Sequence, residues 1–232
     1  MAVNILVADT FIASLARLTA NEQKAAKMAT FDLQTDPSAP GLKFHRVERS
    51  RDPHFWSVRA SGDLRLIVHK TEASFLLAYV GHHDDAYAWA ERRRIEAHPK
   101  TGAIQIVETR ERVVEAPIPA APSPVAPHLP FHGLTADDLL SVGVPPDWIV
   151  DVLAASEDGF LALVDHLPSE AAEALLDYAT TGQLRRPEPV APSDPFAHPD
   201  ALRRFRVVEN QEELARALDA PWEKWAVFLH PA

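Results

Sequence analysis

The chain has no cysteine among its 232 residues, which excludes disulfide bonds and thiolate metal sites. It also has no run of about 18 apolar residues, so we expect no membrane span and no membrane partner. The first ten residues, MAVNILVADT, lack a basic segment followed by an apolar core, and so they do not resemble a signal peptide. We therefore expect a cytoplasmic protein.

Glycine is sparse, with eight residues, and none of them lies in a G-x-x-x-x-G-K-[ST] arrangement. Because the backbone of that loop holds the phosphates of ATP, the sequence predicts no nucleotide cofactor in this chain. Charge differs between the halves. Residues 1–115 contain 16 Lys and Arg against 15 Asp and Glu, whereas residues 116–232 contain 7 against 18. Chemistry that needs cations is therefore expected in the first half.

Two proline-rich stretches divide the chain. Residues 116–130 contain six prolines and almost no charge, which is typical of an extended linker, and residues 187–199 contain five more. We expect an α+β domain over residues 1–115, the linker over 116–130, and a small all-helical domain over 131–186. The last segment, 187–232, is predicted to form an incomplete α/β arrangement.

The first segment combines helical and strand patterns. Phe11 and Leu15 have helical spacing, and Thr19 with Glu22 fits a capping box that opens a second helix. Two helices followed by a mostly antiparallel sheet make an α+β architecture. The strands are predicted near residues 42–47, 55–60, 64–69, 75–80 and 103–107, with a last helix from about residue 84 to 95.

The later segments give weaker patterns. In the second, Thr135 opens one helix, and another starts at Ser169 and stops at Gly182. In the third, residues 205–208 suit a strand, a capping box at Asn210 opens a helix, and residues 226–230 suit a second strand. These elements are too few to close a core of their own.

The most informative stretch is a predicted three-stranded meander over residues 55–85. A loop at Ser61-Gly62-Asp63 sets Arg59 opposite Arg65, about 5 Å apart at Cβ. Two like charges at that distance are unfavourable unless something anionic lies between them. A one-residue slip in register would place the two arginines on opposite faces of the sheet.

The next turn of the meander extends this cluster. Pairing His69 with Leu76 places Val80 beside Arg65, and the chain then brings His82 and His83 next to the arginines. Arginine binds phosphate oxygens bidentately and histidine carries protons near pH 7, so these residues predict a metal-free phosphate site. Solvated surface charges are the alternative interpretation.

Other residues near the meander are predicted to widen or support this site. Lys43 and Arg46 precede the meander and extend the basic face, and we expect them to bind nucleic acid together with His82. The run from His82 to Asp85 is not a metal site, because consecutive residues rarely converge on one ion. Trp56 and Tyr79 are expected in the core.

The pattern FWSVRxSGDLRLIVHK…LLAYVGHHDDAYAWAERR resembles the RelE/ParE toxin superfamily over roughly residues 5 to 95. In the members that cut mRNA on the ribosome, the 2′-hydroxyl attacks the adjacent phosphate. The resemblance implies catalytic roles for Arg59, Arg65 and His83, with RNA and the ribosome as partners. ParE-type relatives share the fold and act on DNA gyrase. The chain departs from the pattern because Val58 and Ala60 are not basic.

The stretch DPFAHPDALRRFRVVENQEELARALDAPWEKWAVFLHPA resembles the segment before the Walker A motif in bacterial UvrD/Rep-like superfamily I helicases with an N-terminal RelE-like domain. The resemblance implies the N-terminal part of such a helicase, for which ATP and Mg²⁺ are expected only in the missing motor. The first domain would then be a docking module for nucleic acid, DNA or RNA, or for the motor domain. The alternative is a RelE-type endoribonuclease.

Overall fold

A computed structural model describes residues 4–109, 129–186, 195–208 and 210–219. The chain divides into two compact units. The first contains residues 1–95 together with 199–232, and the second contains residues 96–198. The observed division differs from the sequence-based boundaries at both ends, because residues 96–109 belong with the helical unit and residues 199–219 belong with the sheet of the first unit.

The first unit is built on a mixed six-stranded sheet with the order β2-β3-β4-β5-β1-β8. Its strands are β1 Asn4–Ala8, β2 His45–Arg46, β3 Phe55–Arg59, β4 Leu64–Lys70, β5 Ser74–His82 and β8 Phe205–Val208. Its helices are α1 Asp9–Ala16, α2 Ala20–Thr35, α3 His83–Glu91, α8 Pro199–Leu202 and α9 Gln211–Asp219. The α+β class is confirmed.

β1 contributes a parallel pairing to a sheet whose other described pairings are antiparallel, so the mostly antiparallel arrangement is confirmed. It lies between β5, to which it is parallel, and β8, to which it is antiparallel. Its residues Ile5, Leu6, Val7 and Ala8 are all buried. A strand buried on both faces has no alternation of apolar and polar residues, which is why the sequence pattern did not reveal it.

The described residues of the C-terminal segment complete this sheet. Phe205 pairs with Ala8 and Val208 with Ile5, and α9 contacts α2 through an ion pair between Lys27 and Asp219. The predicted strand at 205–208 and the helix opened by Asn210 are therefore confirmed. The strand predicted at 226–230 lies outside the described residues.

Helices α1, α2 and α3 of the first unit cover different parts of the sheet. On one face, the Trp89 ring of α3 lies 5.7 Å from that of Phe55 and stacks on Tyr79 at 5.1 Å. α2 covers the other face, where its Glu22 contacts His82 at 3.3 Å. The capping box that opens α2, with Thr19 and Glu22 as its members, is confirmed.

α1 follows the edge of β5 beyond the point where β1 ends. The hydroxyl of Thr10 donates to the carbonyl of Ala78 at 2.7 Å, and the N–H of Val80 donates to the hydroxyl of Ser14 at 3.0 Å. These side chains replace the strand partner that β5 lacks there, because buried backbone groups need partners.

Two elements are shorter than predicted. β2 contains His45 and Arg46 alone, because a 3-10 helix, Pro40–Leu42, occupies the residues before it. α3 ends at Glu91, and the chain continues as the strand β6, Arg93–Ala97, which forms a two-stranded ribbon with β7, Ile104–Glu108. The strand predicted at 103–107 is confirmed with its bounds shifted by one residue.

The second unit has its own apolar core. Its helices are α4 Ala136–Ser141, α5 Ile149–Ala154, α6 Glu157–Val164 and α7 Ser169–Thr181. Thr135 caps α4 and Gly182 stops α7 with φ +71°, as predicted. Across the described part of the chain, no helix is both long enough and apolar enough to cross a membrane.

Candidate nucleic-acid interface

The hairpin formed by β3 and β4 has the predicted register. Arg59 pairs with Arg65, and the N–H of Ala60 donates to the carbonyl of Leu64 at 3.0 Å. Residues paired in this way point to the same face of the sheet. We name this pair of strands, residues 55–70, the basic hairpin, and its two arginines lie side by side at its tip.

The two guanidinium groups share an acceptor at the hairpin loop. Nε of Arg59 donates to the carbonyl of Ser61 at 2.9 Å, and one terminal nitrogen of Arg65 donates to the same oxygen at 3.2 Å. Arg65 also donates to the carbonyl of Leu64 at 3.0 Å. Among the described residues neither arginine has a carboxylate partner. A carbonyl dipole therefore lies where an anion was expected, and neither positive charge is neutralised.

A bulge in β5 changes which residue lies beside Arg65. His69 pairs with Leu76 as predicted, but the register shifts between Ile67 and Val68, so Arg65 pairs with Gly81. The expectation of Val80 at that position is therefore wrong. A Cβ at residue 81 would lie 2.9 Å from Cε1 of Tyr79, which shows that the tyrosine ring lies against this glycine.

His82 lies on the other face of the sheet from the two arginines. It pairs with Leu64, whose side chain points opposite to that of its neighbour Arg65. The His82 ring contacts Asp63 at 2.9 Å through Nδ1 and Glu22 at 3.3 Å through Nε2. The expected gathering of His82 with the arginines is therefore wrong. Alternation along β5 turns this side chain toward α2.

His83 begins α3 and takes part in a different group of residues. Its ring stacks on that of Tyr87 with centroids 4.5 Å apart, and its Nδ1 contacts Asp84 at 2.9 Å. The hydroxyl of Tyr87 lies 2.8 Å from Nε2 of His45. His45 and Tyr87 were not identified from the sequence. The spacing of His83 and Tyr87, four residues apart on a helix, was the available signal.

The hydrogen bonds of His45 show which of its ring nitrogens carries a proton. Nδ1 lies 2.6 Å from the carbonyl of Lys43, which can only accept, so Nδ1 carries the proton. Nε2 faces the hydroxyl of Tyr87 at 2.8 Å. Lys43 has φ +43°, a left-handed conformation that is uncommon outside glycine, and its side chain is exposed. Lys43 thus contributes its carbonyl to this group.

A cleft of about 560 Å³ surrounds this group, and we name it the histidine cleft. Two arginines, Arg46 and Arg49, line it, and within the described ranges neither has an ion-pair partner. Three carboxylates also line it, so the cleft is not strongly basic. Its lining residues are His45, Arg46, Glu48, Arg49, His83, Asp84, Tyr87, Ala88 and Glu91.

The predicted site is thus divided between three places. Arg59 and Arg65 lie at the tip of the basic hairpin, His83 and Arg46 line the histidine cleft, and His82 faces α2. Hydrogen bonds from Thr19 hold the pKa of Glu22, the α2 partner of His82, below its usual value, and the charge of His82 adds to this effect. In the part of the chain that the structure describes, no group of three His, Asp or Glu side chains is arranged to hold a metal ion.

Comparison of the chain with protein-family models, with curated proteins and with solved structures gives no match in any of the three.

Proposed function

We propose that the first unit is a docking module that binds nucleic acid through the basic hairpin without cutting it. We further propose that the chain is the N-terminal accessory region of a UvrD-like DNA helicase with a RelE-like domain. The observation that supports docking is the pair of guanidinium groups of Arg59 and Arg65. They lie side by side, and no carboxylate among the described residues neutralises them.

Phosphate is the ligand class that fits this pair best. Each guanidinium has five N–H donors, and the loop carbonyls use only some of them. A phosphate oxygen can accept from the remaining donors of both groups, and the anion relieves the repulsion between two like charges. The adjacent position is Gly81, which adds no side chain of its own beside Arg65.

Docking is favoured over cleavage by the positions of the two histidines. Cleavage by 2′-hydroxyl attack needs a proton carrier within hydrogen-bond reach of the reacting oxygen. His82 is engaged by Asp63 and Glu22 on the opposite face of the sheet. His83 is stacked on Tyr87 and contacts Asp84.

The test measures binding of labelled single-stranded DNA and RNA to the full chain by fluorescence anisotropy over a range of salt concentrations. We expect the double variant Arg59→Ala/Arg65→Ala to bind more weakly than the parent. Loss of the phosphate contact that the two arginines share should also make the slope of log K against log salt shallower by about 0.7, the contribution of one contact on a single strand.

The matched control is Lys24→Ala/Arg185→Ala, which removes the same charge from two exposed positions that are not part of the hairpin. It should change affinity little. The proposal fails if the parent chain binds neither nucleic acid, or if the hairpin variant and the control lose affinity and salt slope to the same extent.

A further inference from the structure

A histidine between two carboxylates links the loop of the basic hairpin to α2. Nδ1 of His82 lies 2.9 Å from Oδ2 of Asp63, which belongs to that loop. Nε2 of the same ring lies 3.3 Å from Oε1 of Glu22, in the first turn of α2. Among the described residues, these carboxylates are the charged groups that contact the ring. We name the three residues the His82 bridge.

The protonation state of His82 determines whether the bridge can form. A neutral imidazole has one N–H, so its other nitrogen presents a lone pair to a carboxylate oxygen. The imidazolium has two N–H groups and can donate toward Asp63 and Glu22 together. Histidine side chains change between these two forms near neutral pH. The arrangement in the structure therefore fits the protonated ring.

The α2 end of the bridge is fixed independently of His82. Oε2 of Glu22 accepts from the N–H of Thr19 at 2.9 Å and from its hydroxyl at 2.6 Å. These hydrogen bonds lower the pKa of Glu22, the charge of His82 adds to this effect, and the charge of Asp63 opposes it. Asp63 has 68% of its side chain exposed. Loss of the proton from His82 therefore releases the loop, while Glu22 stays in place.

The loop that contains Asp63 also determines where the two guanidinium groups lie. The carbonyl of Ser61 accepts from both of them, as described above, and the carbonyl of Gly62 accepts from both terminal nitrogens of Arg65 at 3.4 Å. A loop that is held on both faces of the sheet keeps the guanidinium groups in one arrangement. Phosphate then binds with a smaller loss of conformational entropy.

We propose that His82 is a positioning residue of the basic hairpin, whose protonation holds the hairpin loop against α2 and strengthens phosphate binding by Arg59 and Arg65. This role rests on the docking function proposed above, and it needs no contact between His82 and nucleic acid. Affinity for nucleic acid therefore increases as the pH falls from 8 to 6.

The experiment measures binding of labelled single-stranded DNA and RNA to the full chain by fluorescence anisotropy at pH 6 and pH 8, at constant ionic strength. The quantity compared is the ratio of Kd at pH 8 to Kd at pH 6. We expect His82→Gln to lower this ratio relative to the parent by roughly 2- to 5-fold, the range for a partly exposed ion pair. The control is His132→Gln, which removes an exposed histidine of the second unit and should leave the ratio unchanged.

The variant Asp63→Asn distinguishes positioning from a simple effect of charge. If the proton on His82 acted only as an added positive charge, loss of the Asp63 carboxylate would strengthen binding at both pH values and leave the ratio as in the parent. If the proton acts through the loop, Asp63→Asn lowers the ratio as much as His82→Gln does.

The variant Glu22→Gln tests the α2 end of the bridge and keeps the capping box, which accepts glutamine as well as glutamate. The amide oxygen can accept from Thr19, and the amide nitrogen then faces Nε2 of His82 and can donate to the neutral ring. The bridge should therefore persist at pH 8. We expect tighter binding than that of the parent at pH 8, and a ratio of Kd values that falls toward unity.

A measurement without nucleic acid reports the loop directly. The amide resonance of Gly62 should shift between pH 6 and pH 8 in the parent chain, because the loop is released as His82 loses its proton. The shift should be absent in His82→Gln and unchanged in His132→Gln. A Gly62 resonance that shifts equally in all three chains would contradict the bridge.

Two binding results would overturn the proposal while docking stands, in variants shown to be folded by their thermal transitions. One is the same ratio of Kd values in the parent, His82→Gln and His132→Gln, although Arg59→Ala/Arg65→Ala still lowers affinity. The other is a parental ratio in Asp63→Asn. Failure of the parent chain to bind either nucleic acid would contradict the docking function and this role together.

Discussion

Asp9 and Arg204 are opposite charges that meet where the two ends of the first unit come together. Arg204 is buried, with 6% of its surface exposed, and the N–H of Asp9 donates to its carbonyl at 2.9 Å. Burial raises the pKa of Asp9 and lowers the pKa of Arg204 to about 10, although each charge favours the ionised form of the other. Loss of water therefore weighs more on each group than the mutual attraction does.

This pair predicts an asymmetry between single and double substitutions. Arg204→Met should lower the free energy of unfolding by about 3 kcal/mol, because it leaves a carboxylate away from water without its counter-charge. The double variant Asp9→Asn/Arg204→Met should recover most of that loss. Urea denaturation measures both. Lys27→Met, which breaks the more exposed pair with Asp219, is the comparison and should change stability by less than about 1 kcal/mol.

Ser14 is predicted to stabilise the half of β5 that does not pair with β1. It is buried, accepts from the N–H of Val80 at 3.0 Å and donates to the carbonyl of Phe11 at 2.9 Å. Ser14→Ala leaves the Val80 N–H without a partner and should cost about 1–3 kcal/mol. Faster hydrogen exchange at that amide would locate the effect. Thr35→Ala, an exposed helical hydroxyl bonded to the carbonyl of Phe31, should change little.

His98 is predicted to make the second unit sensitive to acid. The ring is buried; Nε2 donates to the carbonyl of Val144 at 3.0 Å, and Nδ1 accepts from backbone N–H groups, including that of Thr101 at 3.1 Å. Burial lowers the pKa of His98, against the opposing effects of the Val144 hydrogen bond and the charge of Glu96. The neutral ring is thus the form that fits the folded state.

The sign of the pH dependence follows from this shift. In the unfolded chain His98 takes up a proton near pH 6.5, and in the folded unit His98 does so only at lower pH. The contribution of His98 to stability is complete above pH 6.5 and decreases as the pH falls through the folded pKa, by up to about 1.4 kcal/mol per pH unit. His98→Gln should make the melting temperature depend less on pH between pH 7.5 and 5. His132→Gln, at an exposed position, should leave that dependence unchanged.

The positions of the histidines predict that the chain does not cut RNA. Incubation of the purified chain with ribosomes and mRNA should give no cleavage under conditions in which a RelE-type toxin cuts. Cleavage that disappears in both Arg65→Ala and His83→Ala would contradict the docking proposal and support the ribonuclease alternative. Cleavage that survives both substitutions would identify a contaminating nuclease.

Local sequence signals predicted much of the fold. The hairpin register followed from the loop at Ser61 to Asp63, because loop length determines which residues pair. The helix beginning at Ala20 followed from its capping box, and the end of α7 followed from Gly182. Each of these features depends on residues within one turn or one loop, where chemistry alone restricts the backbone.

Features that depend on distant partners were not predictable in this way. The bulge in β5 has no signal in its own residues, yet because of it Arg65 pairs with Gly81 and not with Val80 as predicted. The group of His45 and Tyr87 requires two residues 42 positions apart in sequence to meet. The third example is β8, whose place beside β1 reflects tertiary pairing. The composition of residues 205–208 predicted a strand but did not predict which strand it pairs with.

The placement of β1 between β5 and β8 also determines when the first unit can finish folding. Its partner β5 lies some seventy residues along the chain, but β8 follows only after the second unit. Closing so long a loop is slow, because its entropy is lost before the contacts form. During synthesis the helical unit can therefore fold first, while one edge of β1 stays unpaired until residues 205–208 leave the ribosome. A chain cut after residue 100 would keep that edge permanently open to self-association.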